Sequence, residues 1–397
     1  MNQTFVALVV LLLAPLTALC ADDAANRIPD AELHNKVLVG INYFAGWWKS
    51  LPNKWHGKGW TAQEPDWRLQ FPDRVPLLGS YNDQATMDRE IAAAASHGVD
   101  FFLILWYFPR PESGKEEQAK LLNRGLENYL ASPNAGLINF AIEYCNAADF
   151  SATTDAEWNA CLKTWVAAMK HPRYLRVDGR LVFKIHDADR FWKTHDRDIE
   201  RCRHRLNELR DAVRAAGLGE MLIGGGIMSR SRINPVHPVA KLFDFTATYM
   251  SVPPVEPRDA EYPYATLAQE ARQARALHAD DPIPWVPYLA AGWNPRPWTH
   301  PQAEPHHRSF FTFPTRAEWT QELRAIKEEF RKYPRLGLPC SGGGRQPVFT
   351  IYAWNEFGEG GIVAPTKGED YMKLEAIRDV FSSRPSSTAT PSNNNRQ

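Results

Sequence analysis

The stretch Val348-Phe349-Thr350-Ile351-Tyr352-Ala353, followed directly by Trp354-Asn355-Glu356-Phe357-Gly358-Glu359-Gly360-Gly361, reads as a buried strand that stops at a glycine-rich turn bearing two carboxylates. An extended strand would send positions three apart to opposite faces, but glycines at 358, 360 and 361 allow a sharp turn, so Glu356 and Glu359 can converge. A parallel barrel carries its reactive groups at the C-terminal ends of its strands. Two carboxyls meeting there among aromatic rings suit cleavage of a glycosidic bond, in which one group protonates the leaving oxygen and the other acts from the opposite side of the sugar. An isolated E-x-x-E is ordinarily a solvated loop; the buried strand before this one and the rings around it set it apart.

Seven further apolar runs precede this one: Val37 to Phe44, Val99 to Trp106, Leu137 to Cys145, Arg180 to His186, Met221 to Ile227, Phe243 to Met250 and Ile283 to Ala291. Most have the continuous apolar character of strands buried on both faces. Helix-period segments separate them: Asp83 to His97, Glu116 to Ala131, Asp155 to Met169, Asp196 to Ala216, Tyr264 to Ala279 and Thr315 to Tyr333, with Glu369 to Phe381 following the eighth run. Asp83, Thr154 with Glu157, and Thr315 with Glu318 are helix starts, and His97-Gly98 and Ala216-Gly217 are helix stops. This alternation, without a break in composition, predicts an α/β chain folded as a single (β/α)8 TIM barrel with long βα loops over residues 37–381. Met228 to Leu242 is interrupted by proline and too short for a full fifth helix, so the barrel should be irregular there. Two long connections, Ala45 to Asn82 and Gly292 to Pro314, are dense in Trp, Pro and His, and are expected to build a substrate cleft.

The 397-residue chain balances 46 Lys and Arg against 46 Asp and Glu and has no basic stripe interleaved with aromatics. That argues against nucleic acid and anionic membrane surfaces and for a neutral partner. Fourteen Trp and thirteen Tyr supply flat rings that could stack on sugar faces. The apolar run Phe5 to Leu19 is short for a bilayer span and is followed by small residues, which reads as a cleaved export signal over residues 1–21 and a secreted or periplasmic destination. Residues 22–36 then form an N-terminal extension, and the polar tail 382–397 is expected to be disordered. Cys145, Cys161, Cys202 and Cys340 match neither a disulfide framework nor a zinc pattern. His300, His306 and His307 lack a Cys or carboxylate at ligand spacing, so neither a metal nor a cofactor is expected. Gly224-Gly225-Gly226 lacks the dinucleotide pattern and reads as tight backbone packing.

The predicted strand ends present a polar and aromatic ring to the substrate: Asn42, Tyr43, Trp47, Trp106, Tyr107, Glu143, Asn146, His186, Tyr249, Trp293, Asn294, Trp354 and Asn355, around the catalytic candidates Glu356 and Glu359. Glu143 as an ion-paired strand-end carboxylate and His186 as a hydrogen-bonded core histidine are equally open readings.

Tyr43-Phe44-Ala45-Gly46-Trp47-Trp48, Pro76-Leu77-Leu78-Gly79, Asp100-Phe101-Phe102-Leu103-Ile104-Leu105-Trp106-Tyr107, Gly292-Trp293-Asn294-Pro295-Arg296-Pro297-Trp298 and Trp354-Asn355-Glu356-Phe357-Gly358-Glu359-Gly360 together resemble the family 99-like glycoside hydrolases, and within them the WbsX-like group. The resemblance covers about residues 37 to 381. It implies a (β/α)8 barrel and endo-acting α-mannosidase chemistry that retains configuration through a 1,2-anhydro sugar, without metal or cofactor. Carried onto this chain, Glu356 would deprotonate the sugar 2-hydroxyl, while Glu359 would protonate the leaving oxygen and then activate water. Tyr43 and Glu143 would be subsite contacts. The family carries His where this chain has Gly358, a departure that bears on whether the oligosaccharide or polysaccharide partner is a mannan. Two other readings follow. One is a polysaccharide-biosynthesis glycosyltransferase, from which an export signal would withhold cytoplasmic sugar nucleotides; the other is a non-catalytic carbohydrate-binding barrel.

Overall fold

Each of the eight apolar runs contains a strand in the computed structural model, which describes residues 36–57, 64–227, 237–257, 260–298 and 309–382. The strands are β1 (Leu38–Tyr43), β2 (Phe101–Trp106), β3 (Asn139–Tyr144), β4 (Arg180–Ile185), β5 (Met221–Gly226), β6 (Phe245–Ala247), β7 (Trp285–Val286 and Tyr288–Ala290) and β8 (Val348–Tyr352). Neighbours pair in parallel and in chain order from β1 to β6. Pro287, which has no N–H to donate, divides β7: its first half pairs with β6 and its second with β8, which returns to β1. The sheet thus closes into a (β/α)8 barrel.

The sequence explains the interior. Alternate residues of a strand face the same side, and Leu38, Phe101, Leu103, Ala141, Val182, Leu222, Phe245, Val286 and Val348 form an apolar plug inside the barrel. Glycines make room for its largest members: a Cβ on Gly40 would lie 2.1 Å from the Phe101 ring, and one on Gly224 would lie 2.3 Å from the Phe245 ring. The glycine run that ends β5 is therefore packed backbone, as its sequence suggests. Burying each large apolar side chain of the plug stabilises the barrel by roughly 2 kcal/mol. The outward residues meet the helices in a second, larger core.

The helices are α1 (Gln84–Ser96), α2 (Glu116–Ala131), α3 (Asp155–Met169), α4 (Ala188–Thr194), α5 (Ile199–Ala215), α6 (Tyr264–His278), α7 (Arg316–Lys332) and α8 (Met372–Phe381). Asp83 caps α1 through the Thr86 N–H, and both predicted capping boxes, at Thr154 and Thr315, are closed. Between β5 and β6 the described chain holds only a 3-10 turn, Ala240–Leu242. The rest of that connection, the export-signal and extension readings, nearly all of the tail, and His300, His306 and His307 lie outside the described residues. Among the described residues no helix is long and apolar enough to cross a membrane. Cys145, Cys161, Cys202 and Cys340 are buried free thiols.

Candidate active site

Continuing the inward parity of each strand toward its C-terminal end replaces the apolar plug with polar groups. Asn42 on β1, Glu143 on β3, and Lys184 and His186 on and just beyond β4 meet in one hydrogen-bonded cluster. Glu143 Oε1 accepts from Lys184 Nζ at 2.7 Å and His186 Nδ1 at 2.6 Å, and Oε2 accepts from Asn42 Nδ2 at 2.9 Å. Glu143 is 0% exposed. Burial pushes its carboxyl upward, but the charges of Lys184 and then His186 prevail and hold it at about 2, so it stands as a fixed anion. The His186 imidazole meets the Tyr249 ring edge-on, with centroids 4.9 Å apart.

The glutamates come from a small hairpin just beyond β8. Asn355 and Glu356 pair antiparallel with Ile362 and Gly361. Within the turn, the Glu356 carbonyl accepts from Glu359 N at 3.0 Å and Gly360 N at 2.8 Å. Gly360 has φ +86°, and a Cβ there would lie 2.7 Å from the Asn294 backbone nitrogen. Asn294 N donates to the Glu359 carbonyl at 2.6 Å, and buried Arg74 donates to the carbonyls of Asn294 and Phe357 at 2.8 and 3.2 Å. The turn is therefore clamped by the connection after β7 and by a guanidinium from the loop after β1. Gly358 lies under the Trp298 indole: a Cβ at 358 would sit 2.0 Å from Trp298 Cε2, so a ring from the β7 connection fills the space that a side chain there would occupy.

A tyrosine holds each carboxylate. Tyr249 Oη lies 3.3 Å from Glu356 Oε1, and Tyr352 Oη donates to Glu359 Oε2 at 2.6 Å. The two phenol rings meet edge-on, 5.1 Å apart. Burial, and then the glutamate charges, push both phenols well above their ordinary range, which keeps them neutral donors. Glu356 is 6% exposed, whereas Glu359 is more open to solvent. The mouth of the barrel thus carries one fixed anion bonded to Lys184, His186 and Asn42, and two further carboxylates on a single rigid turn, each beside a neutral phenol.

Solved structures that superpose on this barrel include glycoside hydrolases. A glycoside hydrolase-like protein superposes with a TM-score of 0.56 at 15% identity, covering 89% of this chain and 96% of the other. Two structures of a family 99 endo-α-mannosidase from Bacteroides thetaiotaomicron, one in complex with bis-tris-propane, superpose with TM-scores of 0.52 and 0.51 at 12% and 14% identity, covering 86% of this chain and 95% of theirs. No family model matches the sequence, and no curated protein matches it. At these identities the likeness establishes the shared fold.

The structure gathers some of the residues singled out from the sequence and disperses others. Glu143, His186, Tyr249, Glu356 and Glu359 form the cluster, and Trp293 lies beside it, its ring 6.2 Å from that of Tyr352. Tyr107 is close enough for the charge of Glu356, after burial and Cys145, to help raise its phenol. Asn294 Oδ1 accepts from Arg296 Nε at 3.0 Å, and Asn355 Oδ1 accepts from Phe44 N at 2.9 Å. Asn146 spends its amide on both backbone groups of Asp187. Tyr43 and Trp106 have the outward parity. Tyr43 reaches Glu90 on α1, and the Trp106 ring packs on Tyr144 and Trp165. Trp47 lies in a block with Trp55, Trp67, Trp298 and Phe357, and Trp354 packs on Phe102. None of these four rings is more than 3% exposed, so they brace the loops and strands around the cluster.

Lys184, Tyr352 and Arg74 were not picked out from the sequence. Lys184 and Tyr352 share the inward parity of His186 and Thr350, which is a signal open to sequence reading. Arg74 sits in an irregular loop, and nothing local marks it.

Proposed function

We propose that this chain is a retaining glycoside hydrolase acting on an α-linked oligosaccharide or polysaccharide, with α-mannan-like glycans the first to test. The observation that carries the reading is the glutamate hairpin: two carboxylates on one turn, each beside a neutral tyrosine, at the C-terminal mouth of a barrel shared with glycoside hydrolases.

Glu356, the more buried and lying against Tyr249, acts as the base that takes the proton of the sugar 2-hydroxyl, so that this oxygen displaces the leaving group from the anomeric carbon. Glu359, more open to solvent, protonates the departing glycosidic oxygen and then activates the water that opens the 1,2-anhydro ring. Each residue is regenerated at the end of the cycle: the proton held by Glu356 returns to the 2-oxygen, and Glu359 recovers its proton from the incoming water. His186, oriented by the buried, ionised Glu143 and 14% exposed, offers its second ring nitrogen to a sugar hydroxyl. No step requires a metal or cofactor. The finer family 99-like, WbsX-like placement rests on the motif resemblance, and the export reading on the Phe5 to Leu19 run; recovery of the protein only in the cytoplasm of its host would refute export.

The test is to incubate purified protein with α-mannans and other bacterial, fungal and plant polysaccharides, following released oligosaccharides by mass spectrometry. Glu356→Gln and Glu359→Gln should each abolish release while leaving the thermal melt in place. Release that survives in both variants would reject the assignment. Binding of a glycan without cleavage by the unaltered protein would favour a carbohydrate-binding barrel.

A further inference from the structure

Glu90 is a buried carboxyl on α1, 3% exposed, with no evident reason to be there if α1 only packs against the barrel. A carboxyl at such a depth costs stability unless its partners compensate. Its partners form a connected path. Tyr43 Oη at the end of β1 donates to Glu90 Oε2 at 2.7 Å, and the same phenol oxygen accepts from Asn82 Nδ2 at 3.0 Å. Asn82 Oδ1 accepts from the Trp47 backbone N–H at 2.8 Å, and Trp47 Nε1 donates to the Asn355 carbonyl at 2.7 Å. Asn355 is bonded to Glu356, and its own side chain is fixed by Phe44 N. From the other side the Trp354 indole faces the Glu90 carboxyl without closing a hydrogen bond, while Trp354 N donates to the Asn42 carbonyl at 2.8 Å. One carboxyl thus touches the end of β1 and is linked through Tyr43, Asn82 and Trp47 to the segment from which the glutamate hairpin emerges.

We propose that Glu90 is a positioning residue for Glu356, holding segment 353–356 against the end of β1 through Tyr43, Asn82 and Trp47. As a role in catalysis this rests on the glycosidase reading above; as a mechanical link it does not. The groups facing Glu90 are Tyr43, Trp354, Arg89 and Asp83. An apolar residue of similar size would fill the volume and remove a desolvated charge, which by packing alone is neutral or stabilising. It would also remove the acceptor for Tyr43 and free the path at its root. A structural role and a positioning role therefore predict opposite rankings.

Three variants decide, Glu90→Gln, Glu90→Leu and Tyr43→Phe, each followed by hydrogen exchange of the peptide covering residues 353–361, by thermal melting, and by kinetics on whichever glycan the unaltered protein cleaves. Glu90→Leu should melt no lower than the unaltered protein, yet exchange at least fivefold faster in 353–361 while the other strands keep their protection. Its kcat should fall tenfold or more, with KM within twofold. Glu90→Gln, which keeps an oxygen acceptor for Tyr43, should recover kcat to within threefold. Tyr43→Phe should reproduce the leucine variant, and the double variant should be no worse than either single one, because both break the same path. Unchanged exchange in 353–361, or exchange raised equally across all strands, would overturn the proposal. If Glu90→Leu fails to fold, Tyr43→Phe carries the same comparison with the loss of one hydroxyl. If the unaltered protein cleaves nothing, the exchange result still decides the link, and only the function assigned to it fails.

Discussion

Lys184→Met isolates the strongest electrostatic feature of the site. The Glu143 carboxylate is fully buried and takes Lys184, His186 and Asn42 as its three partners. Burial alone would push it above its ordinary value of 4.5; Lys184 and then His186 reverse this and hold it at about 2. The folded value lies below the unfolded one, so the contribution to stability is fully present above roughly pH 4.5 and is lost as pH falls toward 2. Over that difference it amounts to on the order of 3 kcal/mol. Removing Lys184 strands a desolvated anion, which costs about 3–5 kcal/mol. In a domain of this size that corresponds to a melting temperature lower by roughly 4–7 °C at neutral pH. Glu143→Gln with Lys184→Met leaves neither charge alone and should recover most of the loss, giving a coupling of about 2–3 kcal/mol between the sites. Calorimetry on the four proteins of this cycle at pH 7, repeated near pH 4, measures it, and the gap between the unaltered protein and Lys184→Met should narrow in acid. Equal melting of the unaltered protein and Lys184→Met, or strict additivity of the two substitutions, would refute the view that Lys184 is what keeps Glu143 ionised.

Three further outcomes are expected. Gly358→Ala places a Cβ against the Trp298 indole and should cost about 1–3 kcal/mol by overpacking; it should also lower turnover by displacing the hairpin, and calorimetry with Trp298→Ala in the same chain should show part of the stability returning. Tyr352→Phe removes the O–H donated to Glu359, a hydrogen bond worth roughly 0.5–1.5 kcal/mol, and should slow glycan release about tenfold or more while calorimetry finds sugar binding intact. Burial raises Glu90 to about 7, above its ordinary 4.5, so its contribution is present below pH 4.5 and is lost as pH rises through 7. Glu90→Gln should therefore melt above the unaltered protein at pH 8, with the difference closing toward pH 5.

The barrel was readable because a parallel sheet covered by helices buries both faces of its strands, so that most strands are written as near-continuous apolar runs separated by capped helices. Asp83, Thr154 and Thr315 mark helix starts through local chemistry, and local chemistry is visible in a sequence. The division of β7 at Pro287 was less legible. The proline itself is plain, but its two halves choose different partners only because the ring must close there.

For the site, the limit was parity more than composition. A strand offers alternate residues to one side, so Asn42 and Tyr43 cannot both face the barrel interior, and reading both as contacts left the choice open. The interior settles it: Leu38 is in the plug, hence Gly40 and Asn42 follow inward and Tyr43 turns to α1. The same count from Val182 gives Lys184 and His186, and from Val348 gives Thr350 and Tyr352. Applied to the sequence alone, it would have exchanged Tyr43 and Trp106 for Lys184 and Tyr352. No such rule reaches Trp47 or Arg74, whose positions depend on how loops after different strands pack together. That packing is also what makes the glutamate turn rigid. Its two carboxylates are announced by glycines, but the grip on them, from Arg74, Asn294, Trp298 and the path to Glu90, comes from parts of the chain far away in sequence, so the convergence of the two glutamates on one turn was legible while its support was not.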